Sequence, residues 1–138
     1  MENVIARFDV TLLEYVSPPI PKININIYEG GNVGDRMDFT LDFFLFNRRW
    51  AGKITERVEK VDEFWFVDEG DQMAFGLRYW RHVHHVKQAG EGSIITDKVD
   101  FRTANSFFDL FLFPAMYLQF LYRKPRYRRY FRCKSKPF

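Results

Sequence analysis

The sequence predicts an α+β domain in which a long, curved antiparallel sheet wraps around a C-terminal helix. Three observations predict it. Successive segments between Lys22 and Arg102 alternate apolar and polar residues with a period of two. Clusters of Gly, Asn and Asp separate several of them at hairpin spacing. After Ser106 the apolar period becomes that of a helix. Strands in a run, then a helix, are the pattern of an α+β fold with an antiparallel sheet.

The elements follow in order. Residues 3–15 space Val4, Phe8, Leu12 and Tyr15 helically, and Ser17-Pro18-Pro19 ends that helix. Lys22 to Tyr28 alternates strictly, with Ile23, Ile25 and Ile27 on one face. Gly30-Gly31-Asn32 and Gly34-Asp35 are turn chemistry. Arg36 to Asn47 reads as a strand carrying Met37, Phe39, Leu41, Phe43 and Leu45 on one face. Trp50–Val61 and Glu63–Val67 are the next two strands, and Gly70-Asp71 marks a turn. Met73–Lys87 is a long strand, Ala89–Gly92 a hairpin loop, and Ser93–Arg102 the return. Ser106 with Asp109 resembles a capping box opening a helix from Phe107 to Phe131. That helix is continuous or broken near Pro114, and Pro125 predicts a kink.

With 138 residues, the chain is long enough for one domain, 1–138, with a basic tail at 132–138. The unusual quantity is 19% aromatic residues, 16 of them Phe. Such a surplus suits a wide sheet or a cavity with rigid walls, and equally an ordinary Phe-rich core. A single cysteine excludes an intrachain disulfide and fits a reducing cytoplasm. The N-terminus lacks the pattern of a secretory leader, and the apolar run 107–122 is too short to span a bilayer.

Charge is uneven. Residues 123–138 hold eight basic and no acidic side chains, against 13 basic and 18 acidic in 1–122. Positive charge at a helix C-terminus complements the macrodipole and solubilises the end. Without a base-reading motif it does not indicate nucleic-acid binding. Following an apolar helix directly, it also allows peripheral contact with a membrane surface.

The chemistry-bearing pattern is Trp80-Arg81-His82-Val83-His84, which places Trp80, His82, His84 and Val86 on one strand face. If Val86 faces Ser93, then His84 faces Ile95 and His82 faces Asp97. Ile95, Val99 and Phe101 make that face apolar, hence the inner one. A buried carboxylate needs a partner, so Asp97 pairs with His82, and the pairing predicts a raised histidine pKa. Three readings stand beside one another: a structural polar pair, a polar anchor for an apolar ligand, and acid–base or metal chemistry. For a metal, Asp97 is the only obvious third ligand, so no metal is expected. Glycine-rich phosphate loops, CxxC pairs and HExxH are absent, and no cofactor is expected.

Taken in sequence, Ser17-Pro18-Pro19, Gly34-Asp35, Trp80 to His84 and Thr96-Asp97-Lys98-Val99 resemble the SRPBCC superfamily of START-like and polyketide-cyclase-like domains. Tyr117 to Pro125 is similar to an uncharacterised bacterial subgroup described as ligand-binding. The resemblance spans roughly residues 4–132. It implies a helix-grip fold with a cavity between sheet and C-terminal helix, and a lipid, sterol, polyketide-like or aromatic ligand there. One departure is that the family's first strand is absent, since this chain opens in the helical region at Asn3. An unpaired sheet edge and an apolar helix both favour a homodimer.

The leading expectation is therefore a cytoplasmic binding module for a small hydrophobic molecule. Strand parity nominates Phe39, Leu41, Phe43, Trp50, Trp80, His82, His84 and Asp97 as cavity residues. Helix position adds Phe111 and Met116. One alternative is a cyclase- or hydratase-type enzyme with His82 as base and Asp97 orienting it. Another is an interaction module acting through a sheet edge or the apolar helix.

Overall fold

A computed structural model describes residues 1–133; Lys134 and Lys136 of the predicted basic tail lie outside the described residues. The order is α1 (Glu2–Ile5), α2 (Val10–Val16), β1 (Lys22–Tyr28), β2 (Arg36–Asp42), β3 (Asn47–Glu59), β4 (Glu63–Gln72), β5 (Leu77–Ala89), β6 (Gly92–Thr103) and α3 (Ser106–Cys133). The six strands form one curved antiparallel sheet in sequence order, β1 to β6. The α+β prediction holds at this level.

The predicted N-terminal helix is two helices. Asp9 accepts the Leu12 N–H at 2.9 Å and so starts α2 afresh. Phe8, in the break, packs into the core beside Phe66. In β1 the strict alternation fails at a bulge. Ile25 pairs with Phe39 but Ile27 with Asp38, so Asn26 is the extra residue. Ile27 is consequently exposed, and Tyr28 takes the inner face. The predicted strand over 36–47 is likewise cut short. It turns at Phe43–Phe46, where Phe44 takes a φ of 73° and donates its N–H to Asp42.

The predicted turn at Gly70-Asp71 is instead continuous strand. Gly70 pairs with Gly52 on β3, and a Cβ on Gly52 would sit 2.5 Å from the Glu69 carbonyl oxygen. Gly52 thus serves a close backbone approach, while Gly70 leaves room for the Met73 and Trp80 side chains, and β4 runs on to Gln72. The β5–β6 hairpin is tighter than expected. Ala89 pairs with Gly92, leaving Gly90 and Glu91 as a two-residue turn in which Gly90 has a φ of 58°. The register therefore moves by two: Val86 faces Ile95, His84 faces Asp97 and His82 faces Val99. A shift of two preserves which side chains share a face.

The final helix is unbroken, with Pro114 and Pro125 inside it. The carbonyls they leave without donors belong to Leu110 and Leu121, both on the exposed side where water can satisfy them. Asn105, rather than the predicted Ser106, caps the start by accepting the Phe107 N–H at 2.9 Å.

Two apolar clusters make the core. Leu12, Val16, Tyr127 and Tyr130 join α2 to α3, while Ile54, Phe64, Phe66 and Val86 pack on the sheet. Phe8 and Ile95 belong to the margins of both. The N-terminal half of α3 is different: Phe107, Phe108, Leu110, Phe111 and Phe113 are all exposed. Among the described residues no helix is long and apolar enough to cross a membrane.

Candidate functional site

The inner sheet face, α2 and α3 enclose a cavity of about 610 Å³. Strand parity on β2 and β3 turns Phe39, Leu41 and Trp50 into it, Phe43 reaches it from the turn after β2, and Trp80, His82 and His84 enter from β5. From α3 come Met116 and its helical neighbours Leu112, Gln119, Arg123 and Tyr127. Two nominated residues fall elsewhere. Phe111 is 79% exposed, because α3 is apolar nearly all round and position along it did not reveal which face turns inward. Asp97 does not line the cavity but contacts the two histidines from β6.

The polar end of the cavity is a closed ring of four side chains. Asp68 on β4, opposite His82, lies 3.2 Å from His82 Nδ1 and accepts from His84 Nε2 at 2.8 Å. Asp97, opposite His84, meets His82 Nε2 at 3.0 Å and lies 3.4 Å from His84 Nδ1. That last approach is ionic, since its geometry is too poor for a hydrogen bond. The second oxygen of Asp68 accepts the Trp80 indole N–H at 2.9 Å. Aromatic rings flank these side chains: Phe66 stacks on His84 at 4.2 Å, and Phe120 meets His82 edge-on at 5.1 Å.

Burial alone would push both carboxyls up. The charges and hydrogen bonds of His82 and His84 outweigh it, and Asp68 and Asp97 are held well below the usual carboxylate range. Burial likewise opposes the charged form of His84, yet bonding to Asp68 and contact with Asp97 raise its pKa. The raised histidine pKa predicted from the sequence thus appears at His84. Tyr127 is also raised, by burial first and then by the charge of Asp97, so its hydroxyl stays protonated.

The ring is a pH-sensitive part of the fold. Depressed carboxylates stabilise the folded state above about pH 4, and this is lost as pH falls through their folded values. A raised histidine stabilises below about pH 6.5, and this is lost as pH rises through its folded value. The ring's contribution should therefore be greatest between those limits. Melting temperatures followed across this range should fall on both sides, and His84→Gln should flatten the alkaline limb. A melting temperature that climbs steadily from neutral to alkaline pH would contradict this.

Sequence reasoning missed Asp68 and Arg123. Asp68 continues the alternation Phe64, Phe66, Asp68, which the supposed end of the strand at Val67 concealed. Arg123 was counted with the basic tail, yet it is 6% exposed and faces the cavity. Its spacing of four from Gln119 and Tyr127 was the available clue.

Asp68, His82 and His84 form the one group among the described residues whose ligating atoms lie within 4.8 Å of one another, as a metal ion would need. At the contacts observed, protons already join these groups, and a cation would compete with them. No protein-family description, curated protein or solved structure matches the chain.

Proposed function

We propose that the chain binds a small hydrophobic molecule of the lipid, sterol, polyketide-like or aromatic kind, in a helix-grip arrangement of sheet and α3. The observation that carries this reading is the cavity itself. At about 610 Å³ it lies within the range of small-molecule sites. Its walls are aromatic and aliphatic, and its few polar groups are gathered at one end, which is how such sites combine affinity with orientation. A neutral apolar dye such as N-phenylnaphthylamine should bind with enhanced fluorescence. Leu41→Trp, which fills the cavity from β2, should weaken that binding at least about tenfold while leaving the fold intact. Dye binding unaffected by this substitution would place the apolar site elsewhere and remove the reading.

A second reading, acid–base catalysis of the cyclase or hydratase kind, is favoured by one feature. His82 and His84 line the cavity and carboxylates hold them in place, although both nitrogens of each ring contact Asp68 or Asp97, so a substrate must displace one of these contacts to reach the base. Here His82 is the base and Asp97 its orienting group. Unchanged turnover by His82→Ala in any activity found would sink this reading and leave binding intact.

A further inference from the structure

Arg123 is a buried cation with no counterion among the described residues. Its side chain comes from the inner face of α3 and is 6% exposed. Among the described residues, no carboxylate oxygen lies within 4.0 Å of it, and its Nε has no hydrogen-bond partner. Its guanidinium sits 4.9 Å over the Phe120 ring, a contact that neither neutralises it nor satisfies its donors. Arginine does not escape burial by losing its proton. A buried charge of this kind is costly unless something pairs with it.

The nearby acids are not available to do so. Asp68 and Asp97 are engaged by His82 and His84, and Asp68 also by Trp80. The missing partner is therefore an anion from outside the described residues. The cavity decides its shape. Along α3 the lining passes from Leu112 and Met116 to Gln119, Arg123 and Tyr127, so one end is apolar and the other polar. On the sheet, Phe39 and Leu41 lie towards β1, while His82 and His84 lie towards β6.

Resting on the proposed hydrophobic-ligand function, we infer that the ligand is an acidic amphiphile, with its carboxylate against Arg123 and its apolar body in the aromatic end of the cavity. Guanidinium N–H groups form a planar fork that matches a carboxylate bidentately, and the unpartnered Nε is one prong of it. The Gln119 amide, one turn back, is a neighbouring donor on the same helix face, while the Tyr127 hydroxyl, one turn on, interacts with both Arg123 and Asp97. Asp68 and Asp97 are already engaged by His82 and His84, and Asp9, the other carboxylate lining the cavity, accepts the Leu12 N–H at the start of α2.

The test is calorimetric titration with dodecanoate, dodecanol and dodecylamine, probes alike in tail and different in head. Wild-type protein should bind dodecanoate at least about tenfold more tightly than dodecanol, and dodecylamine most weakly. Arg123→Met should bring dodecanoate down to the affinity of dodecanol without weakening dodecanol, which also shows that the variant is folded. Arg123→Lys should fall between, having charge but no fork. Without ligand, Arg123→Met should melt no lower than wild type, because it removes an unpaired buried charge. Equal affinity for acid and alcohol would overturn the anion site while leaving the apolar cavity standing, as would an acid preference that survives Arg123→Met. No binding of any probe would overturn both readings. A large loss of stability in Arg123→Met would make the residue structural and overturn its role as a ligand anchor.

Discussion

Asp68→Ala is expected to cost the fold about 3–5 kcal/mol, the usual penalty for removing one partner of a buried ionic set. The carboxylate is 6% exposed and serves three side chains at once. Without it the Trp80 indole N–H has no acceptor, and His82 and His84 each lose the contact at one nitrogen. Those groups are largely buried beside Phe66 and Phe120, so bulk water does not readily replace the lost contacts. Asp68→Asn separates charge from shape, since the amide oxygen still accepts from Trp80 but cannot hold a protonated His84. It should fall between wild type and Asp68→Ala in urea unfolding. A loss below about 1 kcal/mol for Asp68→Ala would mean that the ring is solvated and contributes little.

Phe64→Ala should be as damaging for a different reason. Phe64 is 1% exposed, packs with Ile54, Phe66 and Val86 on the sheet, and lies under the Arg57 guanidinium at 4.8 Å. Removing a buried ring loses its transfer energy and leaves a void, together about 3–5 kcal/mol. Phe111→Ala removes the same ring from an exposed site and should change stability by no more than about 0.5 kcal/mol. Denaturant melts of the two variants side by side check this contrast. If Phe111→Ala proves as costly as Phe64→Ala, the outer face of α3 is buried in an assembly in solution.

Much of the fold was legible because the side-chain period of a strand is robust to small errors of register. The hairpin after β5 was read two residues too long, yet His82, His84 and Asp97 still fell on one face, since a shift of two restores parity. The nomination of Phe39, Leu41, Phe43 and Trp50 rested on the same period, and these residues do line the cavity. Where alternation was broken by something outside the strand itself, it misled. The bulge at Asn26 answers to the pairing of β1 with β2, and Gly52, paired with Gly70, answers to the approach of β3 to β4. A local reading takes such glycines for a turn, and that ended β4 before Asp68.

Helix α3 was harder to read. A helix carrying phenylalanine on every side has no apolar stripe to orient it, so its length was predictable and its inward face was not. Arg123 was hidden by its neighbours, because a single inward arginine in a basic run looks like the rest of the run. Only the cavity, which exists at the level of packing between α3 and the sheet, distinguishes it from Lys124 beside it.

The account depends most on the cavity being a site for an apolar molecule, and native mass spectrometry of protein purified from its own host tests that directly. Extraction with organic solvent would identify anything released. The account predicts one apolar molecule bound per chain and absent from the Leu41→Trp variant. Bare protein that also fails to take up an added apolar acid or alcohol would contradict it.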